Sequence, residues 1–148
     1  RCAEKLRSQK SATLALTVFI MTNRFADTPQ YVNNKTIKLP IASNSTPELI
    51  EYAIKAFKSI YKKGYIYKKA GVITTDIVPE DQIQYAFWDN VDREKYKTLM
   101  KTIDRLNNQQ GRDKLKFASL GTNKRWKMRQ EKLSPNFSTS WTDILKVK

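Results

Sequence analysis

Residues 65–78 read YIYKKAGVITTDIV, and the fold turns on how they are read. The run follows Gly64, which marks the stop of a helical pattern, and it is rich in aromatic and β-branched residues that favour strands. Alternation puts Ile66, Ala70, Val72 and Thr74 on one face and Tyr67, Lys69, Gly71, Ile73 and Thr75 on the other. One face is apolar enough for a core. The other offers a cation, a glycine and hydroxyls, which suits a sheet laid on a phosphate backbone. Gly71 weakens a strand unless close backbone approach is needed there. An ordinary half-buried strand with two solvated lysines, Lys68 and Lys69, is the competing reading.

Upstream, residues 45–63 form the clearest helix. Ser45 or Thr46 can cap it, Pro47 suits its first turn, and Glu48 and Glu51 complement the positive end of its dipole. Leu49, Ile50, Ala53, Ile54, Phe57, Ile60 and Tyr61 make a broad apolar stripe read as core. Residues 11–23 alternate as a strand, with Leu14, Leu16, Val18 and Ile20 against Thr13, Ala15, Thr17 and Phe19. Residues 24–32 are a loop around Pro29, the pair Asn33-Asn34 marks a turn, and residues 35–39 alternate with Ile37 and Leu39 inward. Residues 1–9 read as the last turns of a helix. The order helix, strand, strand, helix, strand predicts an α+β fold, an antiparallel or mixed sheet with two helices on one face. The bare face keeps Thr13, Thr17, Thr36, Lys38, Lys69 and Thr75.

Downstream, residues 80–92 are the acidic segment, with Glu80, Asp81, Asp89 and Asp92 around Gln84-Tyr85-Ala86-Phe87-Trp88. Adjacent large aromatics in an acidic linker look like a peptide for another protein's pocket, although they could fold back on the domain. Residues 93–110 form a second long helix with Tyr96, Leu99, Met100, Ile103 and Leu106 as its stripe. Residues 114–119 read as a short strand. Residues 123–132, NKRWKMRQEK, interleave Lys124, Arg125, Lys127 and Arg129 with Trp126, a pattern suited to stacking and phosphate contact; a charged helix face is the alternative. The sequence therefore divides into a domain over 1–79, a linker over 80–92 and a small, mainly helical extension over 93–148.

Composition narrows the function. The 148 residues carry 28 Lys+Arg against 14 Asp+Glu, for a net charge of +14. Such an excess favours a polyanionic partner, nucleic acid before an acidic membrane surface. It is not a basic tail: residues 1–79 have 13 Lys+Arg against 5 Asp+Glu, and residues 80–148 have 15 against 9. The absence of histidine removes the commonest general base and a common metal ligand. Cys2 is the only cysteine, so no intrachain disulfide forms and a reducing compartment is the natural home. The longest apolar run, residues 14–21, is far short of the roughly 20 residues a membrane span needs, which points to a cytoplasmic protein. Starting without Met and inside a helix, the chain reads as a piece of a longer protein. The acids are dispersed, so the carboxylate cluster that holds two metal ions for nucleotide transfer is not foreseen here, and binding rather than catalysis is expected.

Three stretches carry a family resemblance: KKAGV after a helix ending YKKGY, the acidic QYAFWD peptide, and RWKMRQEKLSPNFSTSW, with Trp126, Met128, Arg129, Leu133, Ser134, Pro135 and Thr139 its most specific residues. Together they resemble the C-terminal part of the UmuC branch of bacterial Y-family DNA polymerases, the catalytic-subunit type of SOS mutagenesis. The resemblance implies a little-finger-like domain over 1–79 that grips primer-template DNA through Lys68, Lys69 and the outward sheet positions. It implies a translesion polymerase as the parent, with Mg held by a palm domain upstream and no cofactor in this chain. Gln84, Phe87 and Trp88 would then occupy the key positions of a sliding-clamp-binding peptide, although Tyr85, Phe87 and Trp88 depart from the usual QLxLF. The segment around Trp126 would meet DNA, a UmuD-type accessory subunit or the recombinase filament. A stand-alone RNA-binding module and a clamp-binding adaptor are the alternatives; the first lacks an RNP-like strand.

Overall fold

The computed structural model describes residues 1–84, 89, 91–111, 114–121, 134–135, 142 and 144. Among these, α1 (Cys2–Ser8), β1 (Ser11–Thr22), β2 (Val32–Ser43), α2 (Thr46–Ile60), β3 (Tyr67–Pro79) and α3 (Arg93–Gln110) follow one another, with short 3-10 turns at Glu80–Gln82 and Ala118–Leu120. The three strands form one antiparallel sheet in the order β2-β1-β3. This is the α+β class that the alternation predicts.

The central strand β1 decides the layering. Its Leu16, Val18 and Ile20 are buried against Ala3 and Leu6 of α1 and Leu49, Ala56 and Ile60 of α2, with Leu39 of β2 completing the cluster. Two helices thus cover β1 and β2 on one face of the sheet, while Ala70 and Val72 of β3 on the same side stay exposed. The hairpin between β1 and β2 is closed by Gln30. Its Oε1 accepts from the Thr22 hydroxyl at 2.7 Å, and its Nε2 donates to the carbonyls of Asn23, Ala26 and Thr28 at 2.9–3.0 Å. The loop therefore turns at 23–30. Asn33 and Asn34, read as a turn, instead lie inside β2 opposite Ile20 and Phe19. The strand is also longer than its alternating core, because the register against β1 slips between Thr13 and Ala15. The slip places Leu39–Ala42, with donor-less Pro40, where a regular ladder could not continue.

The helix α2 ends at Ile60, three residues before the predicted stop, since Tyr61 turns to an extended backbone. Tyrosine hydroxyls replace the missing turn: Tyr31 donates to the carbonyl of Ile60 at 2.8 Å, and Tyr67 donates to Lys62 O at 2.8 Å while accepting from Lys62 N at 3.0 Å. Gly64, at φ +97°, makes the reversal that follows, a conformation side chains resist. The predicted apolar stripe also splits. Leu49 and Ile60 are core, but Ile54, Phe57 and Tyr61 face solvent.

Compact packing extends through Lys116, and Phe117–Lys148 form a second unit. The helix α3, which opens the segment read as the C-terminal extension, packs within the first unit. Asp92 caps it by accepting from Lys95 N at 3.0 Å, and Met100 is its buried anchor. The side chain of Arg7 reaches from α1 to grip Asp104 with two bonds, Nε to Oδ2 at 2.6 Å and Nη2 to Oδ1 at 2.7 Å. Its third nitrogen, Nη1, donates to Asn44 O at 2.7 Å and Thr46 Oγ1 at 3.0 Å. Arg93 pairs with Glu48 and with Asp89, and its hydrogen bond holds the Asp89 carboxyl below the usual carboxylate range. The stretch expected as a strand at 114–119 pairs with no strand among the described residues. Both backbone groups of Leu115 are bound by the side-chain amide of Asn107, at 2.9 and 3.0 Å. No helix among the described residues is long and apolar enough to cross a membrane.

Candidate nucleic-acid interface

The side of the sheet away from α1 and α2 is built from rows that cross all three strands, since directly paired residues share a face. The rows run Lys38–Ala15–Thr75, Thr36–Thr17–Ile73, Asn34–Phe19–Gly71 and Val32–Met21–Lys69. Lys38, Thr36, Thr75 and Lys69 are exposed, and Thr17 is half-buried with its hydroxyl 2.8 Å from that of Thr36. Lys38 and Lys69 stand at opposite corners. Six residues along and two strands across separate their backbones by about 20 Å, enough to reach both phosphate strands bounding a major groove about 12 Å wide.

Three sequence expectations change here. Thr13 leaves the surface: it is fully buried, and its Oγ1 is spent on the carbonyls of Ala15, at 2.8 Å, and Thr75. Tyr67 was placed outward beside Lys69, but the register slips between Met21 and Thr22, so Tyr67 pairs with Thr22 and packs on the core cluster. Lys68 is the extra residue at that slip, exposed and without a partner in the β1 register. The face is also more apolar than a hydroxyl-and-lysine platform, because Phe19 and Met21 occupy its centre and Ile73 is 52% exposed.

The glycine has a visible reason. A Cβ on Gly71 would lie 2.4 Å from Cζ of Phe19, so the ring lies across the strand where a side chain would stand. A side chain at this position would require the Phe19 ring to move aside.

Of the other site residues, Gln84 is exposed, whereas Phe87, Trp88, Lys124, Arg125, Trp126, Lys127 and Arg129 lie outside the described residues. Among the described residues no three His, Cys, Asp or Glu side chains gather as a metal site.

A family model described as the impB/mucB/samB family C-terminal domain matches residues 1–87. The chain belongs to that family. A second model, a domain of unknown function (DUF4113), matches residues 97–147. Protein ImpB of Salmonella typhimurium is 38% identical over 146 residues, covering 97% of this chain and 34% of its own length. Protein UmuC of Salmonella typhimurium strain LT2 is 34% identical over 100% of this chain and 36% of its own. Protein MucB of Escherichia coli is 32% identical over 97% and 34%. The chain spans about a third of the length of the curated relatives it matches. The UmuC-type resemblance read from its motifs is thereby borne out.

Proposed function

We propose that this chain is the DNA-gripping and recruitment region of an error-prone translesion polymerase of the SOS response. The observation that carries the reading is the exposed sheet face with lysines at opposite corners, opposite the side on which α1 and α2 pack, in a chain of this family and of net charge +14. Phosphate contacts hold DNA without demanding sequence, which suits a damaged template whose base edges cannot be read. Lys38, Lys68 and Lys69 meet phosphates, while Thr17, Thr36 and Thr75 donate from the same surface. Nucleotide transfer belongs to the rest of the polymerase, with Mg in its palm; this chain holds the primer-template.

The expected result is binding indifferent to duplex sequence, with log affinity falling against log salt by roughly 0.9 per phosphate neutralised. Filter binding across salt concentrations on two unrelated duplexes measures it. A flat salt response, or a strong preference for one duplex, removes the proposal.

Gln84, Phe87 and Trp88 form the recruitment element, a peptide for the sliding clamp. Phe87→Ala/Trp88→Ala is expected to lose retention on immobilised clamp while duplex affinity stays unchanged; equal retention of variant and wild type would discard this element. The basic segment with Lys124, Arg125, Trp126, Lys127 and Arg129 is assigned to DNA or to the protein partners of such polymerases, a UmuD-type subunit and the recombinase filament.

A further inference from the structure

Between Glu51 and Asp76 the chain carries six lysines, five aromatic residues and no carboxylate. The fold gathers four of those rings with Tyr31 into one connected cluster. Ring centroids lie 4.9 Å apart for Tyr31–Tyr65, 5.6 Å for Tyr61–Tyr67 and 5.3 Å for Phe57–Tyr61. The inner members have structural work, since the Tyr31 and Tyr67 hydroxyls bind the end of α2. The outer two do not share it. Phe57 is 38% and Tyr61 48% exposed, their planes tilted by 36°, and Ile54 continues the ridge. Around them Lys62 places its ammonium 4.9 Å from the Tyr31 ring centroid, and Lys58 and Lys63 are exposed and, among the described residues, free of ion pairs.

We propose that Phe57 and Tyr61, with the lysines around them, form a second nucleic-acid site that takes an unpaired strand. Aromatic faces stack on any unstacked base, and ammonium groups follow its phosphates. A duplex offers no such free faces along its length. An amphipathic protein helix would suit the apolar ridge, but a run of lysines unbroken by any acid favours a partner whose negative charge is equally unbroken. The site extends the duplex reading to the single-stranded part of the same substrate. It stands on a different surface from the sheet grip, so either can fail alone.

The test uses the whole chain and three labelled probes followed by anisotropy: a 12-nucleotide oligo-dT, an abasic strand with the same phosphates, and a 12-base-pair duplex. Phe57→Ala/Tyr61→Ala is expected to weaken oligo-dT binding about tenfold and to leave the abasic strand and the duplex unchanged, while Tyr61→Trp keeps oligo-dT affinity. If the double variant melts early, Tyr61→Thr alone carries the test with about a threefold loss. Equal losses on oligo-dT and the abasic strand, or no loss on oligo-dT, overturn the proposal. So does an acidic amphipathic helical peptide that binds more tightly than oligo-dT and is lost with the same variant, because the ridge is then a protein-docking site. Loss of wild-type duplex binding with oligo-dT binding intact would sink the sheet grip and spare this site.

Discussion

Lys68→Glu/Lys69→Glu is expected to lower duplex affinity about 30-fold or more near 0.1 M salt and to reduce the salt slope by roughly two phosphates. Both lysines are exposed where β3 begins, at the register slip that separates the open face from the tyrosine cluster. Each neutralised phosphate releases condensed counterions, so losing two contacts is read in the slope as well as in the affinity. Net charge alone also affects binding, and the control removes that term. Lys5→Glu/Lys101→Glu makes the same charge change on α1 and α3, away from the sheet face. It is expected to cost less than about threefold, because exposed charges beyond a Debye length of about 8–10 Å are largely screened. Equal losses in the two variants would mean that the sheet face has no special part in binding.

Arg7→Met is expected to destabilise the first unit by about 2–3 kcal/mol, read as a lower urea midpoint with an unchanged slope. The Arg7 side chain is only 12% exposed and Asp104 25%, so the value falls below that of a fully buried pair but well above the surface range of about 0–1 kcal/mol. The guanidinium fork joins three parts of the fold: α1, the junction before α2, and α3. Removing it strands a partly desolvated carboxylate and takes a donor from Asn44 O and Thr46 Oγ1. Arg7→Met/Asp104→Leu should regain most of the loss, because the stranded charge goes with its partner. A single-variant cost below about 0.5 kcal/mol would show that the pair is ornamental.

The layering was legible because β1 alternates strictly: Leu16, Val18 and Ile20 go inward, and Thr17 and Phe19 outward. The second long helix, read over 93–110 with its apolar stripe, has those bounds in α3. What sequence reading missed are effects of register and distance. One inserted lysine at the start of β3 turns Tyr67 from the bare face to the core, and alternation counted along a single strand cannot detect that slip. The burial of Thr13 depends on carbonyls contributed two residues on and from another strand. The stop of α2 at Ile60 is set by phenols from Tyr31 and Tyr67, which no capping signal in the helix itself announces. The docking of α3 rests on Arg7 and Asp104, 97 residues apart and chemically ordinary among 42 charged side chains. The aromatic ridge on α2 had a signal, the acid-free run from 52 to 75, but helical spacing alone assigned it to the interior.

The seat of Met100 bears on where this chain can be cut. A fragment stopping at Pro79, the end of the last strand, looks sufficient for the sheet, yet it discards the helix whose aspartate neutralises Arg7 and whose methionine is 1% exposed. It would leave a cationic hole beside α1 and bare the surface at Ala42 that lines the same seat. Anyone isolating the gripping part should keep the chain through Lys116, where compact packing gives way to the second unit.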